Sequence, residues 1–431
     1  MNALNRLFKL DEHGSDVRTE AMAGLTTFLA MAYITVANPS ILSDAGMDFG
    51  AVFVATCIAA AFGTIVMGLY ANYPIALAPG MGQNAFFTYT VVLGMGHTWQ
   101  TALGAVFISG VIFVVLSVLP IREWLINAIP RNLKLGMAAG IGLFLGFIAL
   151  ENAGIVVDDP ATLVTLGDLL RFEALASIAG FVVIAALAAR NVRGAVVIGI
   201  LGAALLGWLT GNAEFIGFVA LPPSPAPVLL QLDVAAAFQL SMVTVVLSML
   251  IVDVFDTAGT LIGVATRAKL IGDDGRLPRM RKALMADSTA TVVGSLAGTS
   301  STTSYIESAA GVQEGGRTGL TSLVCGLLFL ACLFLAPLAQ SVPAYATAAA
   351  LLFVACIMAR SLADFDWDDV TESAPAVIAA LAMPLTFSIA EGIGLGFISY
   401  VLIKLVSGKA GDCSLAAYLI AAIFALKYLF L

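Results

Sequence analysis

Charge is what this chain most lacks. Only 11% of its 431 residues are Asp, Glu, Lys or Arg, while 60% are hydrophobic; soluble domains carry roughly 25% charge. With a mean hydropathy of +1.00, this excludes a soluble globular enzyme and describes a polytopic membrane protein. Histidine is scarcer still: His13 and His97 stand in terminal and loop segments far from any second ligand, so no metal site is expected. The five cysteines (Cys57, Cys325, Cys332, Cys356, Cys413) show no C-x-x-C spacing. Four of them lie in apolar runs, where cysteine packs as a small hydrophobe. Nucleotide-binding G-x-x-x-x-G-K-S/T, metalloprotease H-E-x-x-H and hydrolase G-x-S-x-G are all missing, so neither bound ATP nor enzymatic chemistry is expected. No long basic cluster interleaves with aromatics, and nucleic acid is not an expected partner. The N-terminus has no contiguous apolar signal core and is expected to be retained. Its Leu4, Leu7, Phe8 and Leu10 suit a short interfacial helix.

What is present is a succession of apolar runs broken by Pro, Gly or charged loops, which gives about fourteen spans at roughly 20 residues per crossing. The expected spans are 20–43, 50–71, 75–94, 99–120, 133–151, 174–189 and 195–211, then 237–266, 282–298, 299–314, 317–340, 345–360, 374–388 and 389–407. Residues 1–19 form a cytoplasmic segment, 212–236 an extracytoplasmic connection, and 408–431 a tail or extra apolar helix. With the N-terminus inside, every one of the 20 Lys and Arg except Arg171 and Lys427 falls on the cytoplasmic side. The opposite loops, 152–173 and 212–236, carry Asp158, Asp159, Asp168, Glu173, Glu214 and Asp233. This asymmetry is the positive-inside rule. The 41 glycines fit helices that approach closely in a bilayer. Seven spans on each side of residue 235, an odd number, place the halves 20–211 and 237–407 in opposite orientations, as in inverted-repeat transporters.

Two kinds of polar feature interrupt this apolar fabric. The run 240–264, LSMVTVVLSMLIVDVFDTAGTLIGV, carries Asp253 and Asp256 with no Lys or Arg inside it. Such an acid costs ~2.5–3.5 kcal/mol at a helix centre on insertion scales, and the cost is tolerated mainly where it serves a substrate or proton path. The third span of each half is also broken. Pro79, Gly80 and Gly82 interrupt the first, and the Ser/Thr run 299–304 interrupts the second by competing for backbone hydrogen bonds. Irregular backbone at membrane depth persists only where it is buried in protein or lines a cavity, and half-helix N-termini offer free N–H groups to a ligand there. Asn84 and Glu307 follow the two breaks. Together with Asp253 and Asp256, three apart and so on one helix face, they define the candidate site. Each could instead be a neutral group bonded to a neighbouring helix for stability. A desolvated carboxyl can exchange a proton with water, and a second can accept ligand N–H groups. Phe86, Phe87, Phe255 and Tyr305 could stack on a flat ring, though packing is the commoner use. Glu151, Glu372 and Glu391 fall at span ends and are left outside the site, and Arg317 reads as an inner-surface anchor or gate. The loop 267–282 reads as a turn at Asp273, Asp274 and Gly275, because further acidic calcium ligands are missing.

The stretches FKLDEHGSDVRTEAMAGLTTFLAMAYI, LAPGMGQNAFF, DVFDTAGTLIGVA and GTSSTTSYIESAAGVQEGGRTGLT make the chain, nearly end to end, resemble the Azg-like purine permeases, a branch of the nucleobase–cation symporters. The resemblance implies an all-α seven-plus-seven inverted repeat with core and gate domains and broken third and tenth spans, often dimeric. It implies proton-coupled import of adenine, guanine or hypoxanthine across the inner (plasma) membrane, driven by the proton gradient without a cofactor. By motif, Asn84 corresponds to a third-span polar contact, Asp256 to the eighth-span acid of related permeases, and Thr260 to a polar partner one turn on. Tyr305 and Glu307 match a tenth-span Tyr-x-Glu, and Asp253 an acid of the Azg-like branch. Phe86 joins the substrate set, and Asp256 and Glu307 are the candidate proton carriers. Gln83 departs from the pattern, where an apolar residue would be expected. An anion transporter or channel of the same architecture is the alternative function, but it would need positive potential where this chain has acids.

Overall fold

The computed structural model describes residues 3–119, 129–271 and 277–430. Arg122, Arg276 and the turn expected at Asp273, Asp274 and Gly275 lie outside them. Helix dominates because, away from water, only a helix pairs every backbone group within one segment. The first half comprises α1 (Val17–Met31), α2 (Ile34–Asp44), α3 (Phe49–Val66), β1 (Leu77–Pro79), α4 (Met81–Ala85), α5 (Trp99–Val118) and α6 (Arg131–Asn152). It continues through β2 (Val156–Asp159), β3 (Leu163–Leu166), α7 (Phe172–Ala189) and α8 (Ala195–Thr210). The second half contains α9 (Val243–Arg267), α10 (Met280–Ala297), β4 (Thr302–Ser304), α11 (Ser308–Gln313) and α12 (Gly319–Cys332). It ends with α13 (Ala344–Ala359), α14 (Val370–Leu385), α15 (Ile389–Val406) and α16 (Leu415–Phe430). Nine helical stretches among the described residues are long and apolar enough to cross a bilayer, and α8, α14 and α16 are shorter apolar helices. The fold is therefore an all-α polytopic one, with two small antiparallel strand pairs, β1–β4 and β2–β3. The β2–β3 hairpin fills part of the acidic connection 152–173.

Helix starts follow from local chemistry. Asp16, Asp48, Thr98, Thr318, Asp369 and Ser388 each accept a first-turn N–H at the N-terminus of a helix, the usual remedy for its orphan donors. The Thr371 hydroxyl and the Lys409 ammonium, both donating to Asp369, hold its carboxyl at about 2. The first span departs from the expected single helix: α1 and α2 meet at Ala32 and Tyr33, and this bend brings the Tyr33 side chain into the interior.

The helices pack as two bodies. Spans one to four and eight to eleven (α1–α5, α9–α12) form one, and α6–α8 with α13–α16 form the other. The third and tenth spans occupy equivalent positions in the two halves, each entering as strand and leaving as helix. Leu77, Ala78 and Pro79 pair antiparallel with Ser304, Thr303 and Thr302, so the two interruptions meet. Extended backbone survives there because each strand supplies the other's hydrogen bonds and every residue of both is buried.

Buried polar contacts fix the face that carries the N-terminus. Glu20, fully buried on α1, accepts from the backbone N–H of Arg317, Thr318 and Thr321 and from the Thr321 hydroxyl. Its carboxylate thereby caps α12, where the helix dipole favours negative charge. Arg317 is more than a surface anchor: its guanidinium donates to the carbonyls of Val312 and Gly316, at 2.7 Å each. Phe8 and Leu10 of the N-terminal segment pack on Leu320, while Leu4 and Leu7 stay exposed. α16 runs back along α15, its Lys427 ammonium pairing with Glu391 at the start of α15 and its Tyr418 hydroxyl donating to Ala410 in the turn between them.

Candidate functional site

The β1–β4 junction is held from two sides by carboxylates. Asp253 of α9 is fully buried; its Oδ2 accepts from Ser301 at 2.8 Å and Thr291 at 3.1 Å. Asp287 of α10 is equally buried and accepts from Ser304 at 2.8 Å and Thr257 at 2.7 Å. The Thr257 and Thr303 hydroxyls meet at 2.9 Å, and Thr291 also donates to the Thr302 carbonyl. Hydroxyls thus pass between α9, α10 and β4, and no ion pair among the described residues reaches either acid. From the opposite side the Asn84 amide oxygen accepts from Ser300, the neighbour of the serine that Asp253 holds. Tyr305 spans both breaks, its hydroxyl donating to the Pro79 carbonyl at 2.5 Å and its backbone N–H to Ala76 at 3.0 Å.

Asp253 and Asp256 do not share one environment. Residues three apart differ by about 60° around a helix of 3.6 residues per turn, and here that separates a buried group from an accessible one. Asp256 is exposed, as are Gly259, Ile262 and Thr266 further along α9. An ideal Cβ on Gly259 would meet nothing within 4 Å, and one on Gly263 would meet only Ile306, at 3.5 Å. These positions recur at helical spacing and form an exposed stripe along α9 from Asp256 toward Arg267 at its C-terminal end. α9 also packs on α6, α15 and α16 of the other body. Lys134 of α6 lies over the half-buried Phe255 ring, 5.1 Å from its centre.

Glu307 is half-buried immediately before α11. Its Oε1 accepts from the Tyr33 hydroxyl at 3.0 Å. Both side chains line a cavity of about 310 Å³ between the two bodies, of a size suited to a small ligand. Phe86 and Phe87 are buried in the apolar core, and Thr260, 8% exposed, lies one turn beyond Asp256. Gln83 is 3% exposed, and its side-chain amide lies against the Asp253 carboxylate.

Asp287 and Tyr33 are the residues that sequence reasoning passed over. Asp287 carries the signal that singles out Asp253, an acid inside an apolar span, although Arg281 and Lys282 stand at the start of that span. Nothing in the sequence separates Tyr33 from a packing aromatic. Replacing Tyr33 by Phe removes one hydrogen bond to a carboxylate, worth about 1.5–3 kcal/mol. The expected result is a transport KM raised by roughly ten-fold and a shifted pH profile of uptake, with thermal stability little changed. Initial-rate uptake across pH in Tyr33→Phe, beside its melting curve, checks this.

Two helical bodies around a pair of antiparallel broken spans, with buried acids that no ion pair among the described residues reaches, define an integral multi-pass transporter. The chain belongs to the Permease family (Xan_ur_permease), whose model it matches over residues 18–395; it is a transporter, not an enzyme. It is 50% identical to the adenine permease AdeP of Escherichia coli (strain K12), over 99% of this chain and 96% of that protein. It is 46% identical to the guanine/hypoxanthine permease PbuO of Bacillus subtilis (strain 168), over 94% and 95% respectively. Among solved structures it is similar to the transmembrane domain of the cyanobacterial bicarbonate transporter BicA, with a TM-score of 0.63 at 15% identity over 86% of this chain and 96% of that one. SLC26A9 aligns with a TM-score of 0.64 at 12% identity, over 94% and 68%. These likenesses concern the fold, a seven-plus-seven inverted repeat.

Proposed function

We propose that this protein is a proton-coupled symporter that imports purine bases across the cytoplasmic membrane by alternating access, with its N-terminus in the cytoplasm. The observation that carries the reading is the meeting of two broken spans beside carboxylates that form no ion pair among the described residues. A purine presents N–H donors at its edge and apolar faces, so it suits acceptor groups in a small pocket. An anion would meet unpaired negative charge here, which argues against the anion-transport alternative. The purine specificities named for AdeP and PbuO support the substrate class.

In this reading Asp256 and Glu307, both accessible, meet the base and carry the proton. Asn84, Asp253 and Tyr305 act by fixing the break whose backbone faces the ligand, and Thr260 and Phe86 complete the walls. Guanine and hypoxanthine offer an N1–H to a carboxylate. Adenine offers an amine beside acceptors, which suits an amide or a protonated acid.

The test is uptake of radiolabelled adenine, guanine and hypoxanthine, with uracil and sulfate as controls, into cells shown to hold the protein in the membrane. Purine accumulation that a protonophore collapses and sodium removal leaves unchanged is expected, because carboxyls of this kind suit proton exchange near neutral pH. No accumulation above a vector control would sink the purine reading. Sodium dependence with insensitivity to the protonophore would overturn the coupling.

A further inference from the structure

Arg193 and Glu314 form an ion pair, their side chains 47% and 29% exposed. Arg193 lies in the short connection between α7 and α8, and Glu314 immediately follows α11. The pair therefore joins the second body to the half-helix of the tenth span in the first. The other ion pairs among the described residues lie within the N-terminal segment or tie together α14, α15, α16 and their connections. Both residues also line the cavity that holds Tyr33 and Glu307, with Asn191 and Phe353 among its other walls. Along α9, the exposed positions Asp256, Gly259, Ile262 and Thr266 lead from Asp256 toward Arg267.

We propose that the Arg193–Glu314 pair is a latch between the two bodies, holding the conformation in which Asp256 is open toward the Arg267 end of α9 and parting each time the transporter turns over. The inference rests on the transport reading above but not on the purine. Its placement supplies the reason: a contact that bridges bodies which slide past each other must break and re-form, whereas pairs within one body need not. Its strength suits that task. Partly exposed ion pairs contribute little net stability, so the latch biases the two conformations without trapping either. Reversing one charge sets like charges against each other and should move the population toward the other conformation.

The experiment reads this without any substrate. Gly259→Cys has room for a side chain, and in a background with Cys356 and Cys413 replaced by Ser the remaining cysteines are buried. Labelling of Gly259→Cys by a maleimide applied from the Arg267 side should slow by roughly two- to five-fold in Glu314→Arg, the scale of an exposed pair. The double reversal Arg193→Glu with Glu314→Arg should restore it. An unchanged rate in the single reversal, or no recovery in the double, would overturn the latch. A second measurement joins Arg193→Cys to Glu314→Cys with a short bis-thiosulfonate linker. Linked protein should keep position 259 reactive and lose transport until reductant is added, and transport by linked protein at the wild-type rate would overturn the proposal. If wild-type protein carried no purine, the labelling result would still decide the latch.

Discussion

Asp256→Asn is expected to abolish purine accumulation while leaving the protein folded and inserted, and Glu307→Gln to do the same. Asp256 is exposed on α9 and accepts no hydrogen bond from the described residues, so its charge does little for the packing of α9. Glu307 accepts the Tyr33 hydroxyl, a bond that glutamine can also accept. In both variants the shape is kept, and the lost property is a negative, protonatable group. One charged hydrogen bond to the base is worth about 1.5–3 kcal/mol, or roughly 10- to 100-fold in affinity. Loss of the proton carrier would add to that a failure to accumulate against a gradient. Counterflow of labelled base separates the two effects, since exchange needs binding but no net proton movement. Wild-type accumulation in either amide variant, with equal protein in the membrane, would remove that residue from the site.

Asp287→Ala is expected to lower thermal stability sharply and to eliminate uptake. Ser304 and Thr257 both donate to this carboxylate in a fully buried setting. Deleting it removes the acceptor of both hydroxyls at about 1–3 kcal/mol each and leaves β4 tied to α10 through Thr291. Asp287→Asn keeps a side-chain acceptor and the volume, so it should melt close to wild type. Any loss of uptake in the asparagine variant then reports charge and not architecture. Asp253→Asn should be milder than Asp256→Asn in transport, because Asp253 is enclosed by Ser301 and Thr291. Melting curves in detergent beside uptake for the three variants check this ordering. A wild-type melting curve for Asp287→Ala would show that the junction is held by something other than this network.

Much of this protein is legible in its sequence, for one physical reason. A bilayer interior punishes any unpaired backbone group and any charge. Apolar run length therefore marks the spans, and the places where Pro79, Gly80 and the 299–304 hydroxyls interrupt a run mark the broken ones. The positions of Asn84, Asp253, Asp256 and Glu307 as the polar exceptions are visible for the same reason. What those exceptions do to one another depended on tertiary structure, because hydrogen bonds form between residues remote in the chain. Only the folded arrangement set Ser300 on Asn84 and Ser301 on Asp253, spent the Tyr305 hydroxyl on the Pro79 carbonyl, and brought Tyr33 to Glu307 across 274 positions. It also decided that Asp253 is enclosed and Asp256 open, a difference of about 60° on one helix that sequence spacing treats as a shared face. Asp287 belongs to the same lesson: hydropathy places it in a span, but its partners Ser304 and Thr257 sit on other elements, and only packing brings them together.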